Sequence, residues 1–115
     1  MTQTLDVETL IRRQKTVRVD PVLESLVPRF LKNRKRDLIA LYGALDDEDF
    51  ETIQSLGHAM KGTGGAYGFD AISALGSEIE ICGKDGNGRG AARWIRLLDG
   101  YLAKVKVLYE ATESS

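Results

Sequence analysis

Apolar residues return every third or fourth position through most of the chain, and this repeat excludes more folds than any other feature. Leu23, Leu26, Val27, Phe30, Leu38, Leu41 and Leu45 keep that spacing, as do Ile53, Leu56, Met60 and Tyr67. It continues in Ile72, Leu75, Ile79 and Cys82, and again in Trp94, Ile95, Leu98, Tyr101, Leu102, Val105 and Leu108. Each set falls on one side of a helix turning 100° per residue, and no stretch reads as the strict alternation of a strand. The spacing therefore predicts an all-α fold, with four principal helices and short connections forming an antiparallel up-down four-helix bundle over residues 20–112. Residues 1–19 form an N-terminal extension, in which Leu5, Leu10 and Ile11 suit a short extra helix after Thr4, its end made basic by Arg12, Arg13, Lys15 and Arg18. That extension reads either as a peripheral segment or frayed tail, or as a docking element.

The boundaries follow from capping chemistry. Asp20-Pro21 suits a helix start, the aspartate as cap and the proline at the first helical position. Pro28 either kinks the segment that follows or divides it into a short helix and a long one. Asp46-Asp47-Glu48-Asp49 ends one helix and places acids at the positive end of the next, which runs from about Glu48 to Tyr67. Gly68 stops that helix, and Phe69-Asp70 open another. Gly83 to Gly90 is a loop by composition, the last helix runs from about Ala91 to Glu110, and Glu113-Ser114-Ser115 is a frayed end.

Two sharper readings of the glycine-rich loop fail. As a calcium loop it has Arg89 at a ligand position and Arg96 where the closing glutamate belongs. As a phosphate-binding loop it lacks the preceding strand and the Lys-Ser/Thr ending, and Gly62-Thr63-Gly64-Gly65 lacks them too. Composition narrows the classes further. A length of 115 residues is one domain with room for a core, and a formal net charge of −1 gives no general pull toward nucleic acid or membrane. The single cysteine, Cys82, allows no internal disulfide and fits a reducing compartment. With neither a run of ~20 apolar residues nor a signal-peptide start, a cytoplasmic monomer is the expectation.

Lys32-Asn33-Arg34-Lys35-Arg36 is the densest basic run. It carries no interleaved aromatics and no nucleic-acid motif, so it reads as a solvated helix face or as a patch that steers an acidic partner. His58, the only histidine, is more specific. If its segment is helical, Ile53, Leu56, Met60 and Tyr67 lie on the opposite side and the imidazole faces out. Its neighbours three, four and seven residues on are Lys61, Gly62 and Gly65, which places one cation beside the ring and clears the ground around it. Gln54, one turn before His58, shares this docking face. Glycines inside a helix cost about 1 kcal/mol each against alanine, so those at 62, 64 and 65 require a reason such as close approach. Ser73, Gly76 and Ser77 lie off the apolar seam of the following helix, and either border the histidine or serve close helix packing.

At these positions the chain resembles the histidine-containing phosphotransfer (HPt) domains of two-component signalling. Their pattern is a histidine, a lysine-glycine pair three and four residues later, and a glycine at the tenth, places filled by His58, Lys61, Gly62 and Gly68, with Met60 where the family usually has leucine. At ordinary frequencies the three companions follow a given histidine by chance roughly once in 3,000 times. The resemblance covers roughly residues 21–110 through helix order, size and Phe69. It implies that His58 accepts and donates a phosphoryl group, that Lys61 offsets its charge, and that Gln54, Gly62 and Gly65 meet the partner. The implied partners are response-regulator receiver domains and a sensor histidine kinase. No cofactor of its own is implied, since the receiver supplies Mg2+, and the protein would be a relay substrate without ATP-dependent turnover. The competing reading is a helical adaptor that binds a signalling partner without chemistry. An enzyme using His58 as a general base finds no second catalytic group at helical reach beyond Lys61.

Overall fold

The computed structural model describes residues 6–110. In chain order these form α1 (Val7–Arg13), β1 (Thr16–Val19), a 3-10 turn (Pro21–Leu23), α2 (Val27–Asp46), α3 (Phe50–Ala66), α4 (Asp70–Asp85), α5 (Gly88–Lys104) and β2 (Lys106–Tyr109). Leu5 and the Glu113-Ser114-Ser115 end lie outside the described residues.

The expected boundaries hold where a side chain makes the cap. Asp20 accepts from the Val22 amide, but the turn it opens is only Pro21–Leu23, and Pro28 lies in the first turn of α2, so the prolines divide the segment. Asp49 caps α3 by accepting from the Thr52 amide at 3.2 Å and the Thr52 hydroxyl at 2.6 Å, contacts that hold its carboxyl below the usual range. Gly68, with φ of 85°, turns the chain between α3 and α4. Phe30 clamps that turn by stacking on Tyr67 at 4.6 Å and Phe69 at 5.3 Å.

Consecutive helices joined by such short turns pack side by side. Across the α3 and α4 pair, Gln54 meets Gly83, Gly57 meets Glu80, and Gly64 meets Ser73, so the two run antiparallel. α2 and α5 also pack on each other and each borders one helix of that pair, which makes α2 to α5 an up-down four-helix bundle with α3 and α5 on its diagonal. Leu41, Ile53, Met60, Ile72, Leu75, Ile79, Ile95 and Leu98 fill its centre.

Three expectations are corrected. The stretch Gly83–Gly90 is not a loop: α4 continues to Asp85, and α5 begins at Gly88 behind an Asn87 cap that accepts from the Gly90 amide at 2.9 Å. Only Gly86, in the left-handed conformation at φ of 67°, and Asn87 connect the two helices. Glycine composition reads as a loop, yet Gly83 is buried against the α3 backbone, so packing overrides propensity there. Second, α5 ends at Lys104 rather than Glu110, because Val105 turns extended (φ −63°, ψ 138°) and Lys106–Tyr109 forms a strand carrying the half-exposed Leu108. Third, there is a sheet: β1 and β2 pair in parallel, Thr16 beside Lys106 and Val19 beside Tyr109. The residues do alternate, Thr16-Val17-Arg18-Val19 burying both valines, but four residues are too few to separate a period of 2 from one of 3.6.

The segment before Asp20 is accordingly no peripheral tail. Val17 and Val19 belong to the core, and Glu8 of α1 pairs with Arg93 of α5. Gln14 ties three elements together. Its side-chain oxygen accepts from the Ala71 amide at 2.7 Å, serving the N-terminus of α4 that Phe69 cannot cap, while its carbonyl accepts from the Tyr101 hydroxyl at 3.0 Å. Burial raises the Tyr101 phenol well above the ordinary tyrosine range.

Candidate functional site

The two helices that carry the site touch through glycines spaced seven apart, Gly57 and Gly64 on α3 and Gly76 and Gly83 on α4. A β-carbon at Gly57 would stand 2.5 Å from the Glu80 amide nitrogen, and one at Gly76 would stand 2.6 Å from the Lys61 amide nitrogen. At Gly64 it would stand 2.7 Å from the Ser73 amide nitrogen. Backbone therefore lies on backbone, and the ~1 kcal/mol that each helix glycine costs is exchanged for this approach. Ser73 adds a hydroxyl that donates to the Lys61 carbonyl at 2.8 Å. Of the two readings for Ser73 and Gly76, close helix packing is the one observed.

That closeness decides which side chains meet. Lys61 lies four residues after Gly57 and three before Gly64, and Glu80 has the same place between Gly76 and Gly83, so each points from the contact seam toward the other. Their charges pair at 3.0 Å. The second oxygen of Glu80 lies 2.9 Å from Nδ1 of His58. The His58 side chain is 70% exposed, whereas Met60 is fully buried, so the imidazole stands on the solvent side of α3 as its spacing implied. The Lys61 contact, the largest influence, holds the Glu80 carboxyl below its usual pKa; desolvation opposes it, and the His58 contact adds a smaller lowering.

Glu80 is absent from the sequence reading because it lies on another helix, 22 residues beyond His58. A signal was present, however: two glycine pairs of equal spacing mark the facing sides of α3 and α4, with one acid and one base centred between them.

The other anticipated residues are placed as follows. Gly62 and Gly65 are exposed beside His58. A β-carbon at Gly62 would meet nothing within 4 Å, and one at Gly65 only the Ser73 hydroxyl at 3.8 Å, so these two glycines, unlike Gly57 and Gly64, serve no packing purpose and leave the ring's surroundings low. Gln54 is half-buried on α3, with its backbone against Gly83. The basic run is divided: Arg34 is half-buried over the Phe30 ring, donating to Asp37 at 2.9 Å and to the Thr63 hydroxyl of α3 at 2.8 Å, while Lys32, Lys35 and Arg36 are exposed. Among the described residues no group of His, Cys, Asp and Glu is arranged to hold a metal ion. No described helix is long and apolar enough to cross a membrane.

An exposed imidazole braced from the next helix, on a bundle of this connectivity, agrees with one further finding: the family model described as "Hpt domain" matches residues 25–107. The chain belongs to the Hpt family. Comparison with curated proteins and with solved structures gave no match. Hpt membership implies histidine phosphotransfer in two-component signalling, by a carrier rather than a conventional enzyme, through receiver domains and histidine kinases. α1 and β1 lie before the Hpt match, and the fold nevertheless draws Val17 and Val19 into the core.

Proposed function

We propose that the protein is a phosphorelay intermediate in which His58 takes a phosphoryl group from the phospho-aspartate of a receiver domain and passes it to another response regulator. The single observation that carries this reading is the contact between Nδ1 of His58 and the Glu80 carboxylate at 2.9 Å. A carboxylate can only accept, so in the neutral ring the proton sits on Nδ1 and the lone pair is left on Nε2. Nε2 attacks phosphorus as the bond from phosphorus to the aspartyl oxygen breaks, and the electron pair of that bond returns to the aspartate. The ring, which keeps its Nδ1 proton, gains positive charge as the new bond forms. Glu80 stabilises that charge and holds the ring plane, as a carboxylate does behind any imidazole asked to react at its far nitrogen.

Lys61 acts on the other side of the charge balance. Its three donors allow one to stay on Glu80 while another meets a phosphoryl oxygen, a contribution of about 0.5–1 kcal/mol at so exposed a position. In-line transfer also requires a metal on the transferring group. The receiver's carboxylates are the ones suited to hold Mg2+, and this chain then contributes the nucleophile, its bracing and the docking surface. Gly62 and Gly65, open at their β-positions, together with the Gln54 side of α3, form the approach to the ring.

The experiment is incubation with a phosphorylated receiver in the presence of Mg2+. The protein is expected to acquire acid-labile, base-stable phosphate and the His58→Gln protein none, with an unchanged circular dichroism spectrum. Binding without labelling would instead make the protein an adaptor. Gly65→Gln is expected to slow transfer from the receiver while phosphoramidate still modifies His58 at nearly the parent rate, because only a protein donor needs the cleared approach. Equal transfer rates from the receiver would move docking toward Lys32–Arg36.

A further inference from the structure

Along α5, the helix diagonal to the one that carries His58, α1 and α5 leave a groove of about 260 Å³. Its floor is apolar: Ile11 from α1, Leu97 and Tyr101 from α5, and Val105 just beyond it. Its rim is cationic, with Lys15, Arg96 and Lys104, and no carboxylate lines it. The nearest acid along α5, Asp99, is turned toward α2, where it accepts from the Tyr42 hydroxyl at 2.8 Å. None of the three rim cations belongs to an ion pair among the described residues. In a chain whose formal net charge is −1, three cations with no ion pair among the described residues, set around an apolar floor, are a local segregation of charge.

Gly100 gives a second, independent reason to regard the groove as open by construction of the sequence. It sits inside α5 at the groove wall, and a β-carbon there would meet nothing within 4 Å. The glycine therefore costs the helix about 1 kcal/mol without any packing return, and its effect is to keep the wall low.

We propose that this groove docks an acidic, amphipathic segment of a partner protein, with an apolar side chain on the floor and carboxylates against Lys15, Arg96 and Lys104. A volume of 260 Å³ lies below the ~300–1,000 Å³ of pockets that enclose a small molecule, and suits one or two anchoring side chains of a longer segment. The cations supply orientation and a salt-sensitive approach. α5 lies on the bundle diagonal from α3, so a segment held here leaves the His58 face free for a second protein. The site does not depend on the phosphotransfer reading.

The test is selection from a random displayed peptide library against the intact protein, followed by fluorescence anisotropy of the synthesised winners. The expected winners carry an apolar residue flanked by Asp or Glu, weaken as salt is raised, and lose roughly tenfold or more in affinity for Lys104→Glu and for Gly100→Gln. Gly100→Gln adds a long side chain in open space and is expected to keep the parent's thermal midpoint or raise it, so lost binding by that variant cannot be ascribed to unfolding. Winners without carboxylates, winners indifferent to Gly100→Gln, or a selection that enriches nothing would each overturn the proposal. Saturable binding of decanoate without any selected peptide would overturn it in favour of a small amphiphile.

Discussion

α4 meets its two neighbours within the bundle in opposite ways. Toward α3 it presents Gly76 and Gly83, and the backbones come so near that a single added methyl would strike main-chain atoms. On the far side of the core, α5 contributes Ile95, Leu98, Tyr101 and Leu102, large side chains whose burial supplies cohesion rather than closeness. The difference teaches what each contact is for. Bulky interdigitation stabilises, but it separates helix axes. The glycine seam gives up side-chain burial and brings Lys61 and His58 of one helix within hydrogen-bond reach of one carboxylate on the other.

This contrast is open to experiment, beginning with the largest effect. Leu98→Ala, which opens a void on the cohesive side, is expected to cost about 2–5 kcal/mol by urea unfolding while the folded protein accepts phosphate from a receiver at the parent rate. A slowed transfer would mean that the two contacts are not separate in role. Gly76→Ala works on the other side, and is expected to cost about 1–3 kcal/mol although alanine is the better helix former, because backbone has no rotamer by which to give way. It should also erase the His58 to Glu80 contact, visible as a change in the imidazole proton and nitrogen shifts. The same change at Gly43, where a β-carbon meets nothing, should instead stabilise by about 0.4–1 kcal/mol. If both alanines shifted stability in one direction, the seam would not be close-packed.

Glu80→Gln is expected to lower the unfolding midpoint slightly at neutral pH and to slow transfer roughly tenfold, the loss of one charge-assisted hydrogen bond to a charging ring. An unchanged rate would reduce Glu80 to a partner of Lys61 alone. The smallest effect is on acid stability. The folded protein holds the Glu80 carboxyl below its ordinary value of 4.5, so its stabilising contribution is present above that pH and is lost as pH falls through the lower folded value. The difference in stability between the parent and Glu80→Gln should therefore narrow only below about pH 4.5.

Much of this was legible in the sequence, for physical reasons that can be named. The core positions of α3 and α4 followed from a 3.6-residue repeat, and the outward direction of His58 followed from its place opposite Ile53 and Met60. The cap at Asp49 and the stop at Gly68 are local chemistry and were readable locally. What escaped depends on distant partners. Gly83 and Gly88 lie within helices, against composition, since α3 lies against the first and the Phe50 ring would stand 3.6 Å from a β-carbon at the second. Val105 and Val107 suit a helix face and a strand face equally, and the choice is made by β1 at the other end of the chain. Glu80 had no meaning until α3 and α4 were placed in register. Among the glycines grouped as needing a reason, only Gly64 is explained by helix contact, while Gly62 and Gly65 stay open.

The pairing of β1 with β2 has a kinetic corollary. Thr16 and Lys106 are neighbours in the sheet and ninety positions apart in the sequence, whereas three of the four helix contacts in the bundle join consecutive helices and the fourth, between α2 and α5, spans 57 positions at Tyr42 and Asp99. Closing so long a loop carries the largest entropic penalty among the described pairs of elements, and β2 is also the last of these elements to leave a ribosome. The helices are thus expected to assemble first and the two strands to lock afterwards, with Gln14 settling onto α4 in the same late step. In the mature protein the order reverses: the strand amides are expected to open at lower free energy than those of α3 and α4, so native-state hydrogen exchange should record a lock that releases while the His58 face stays folded.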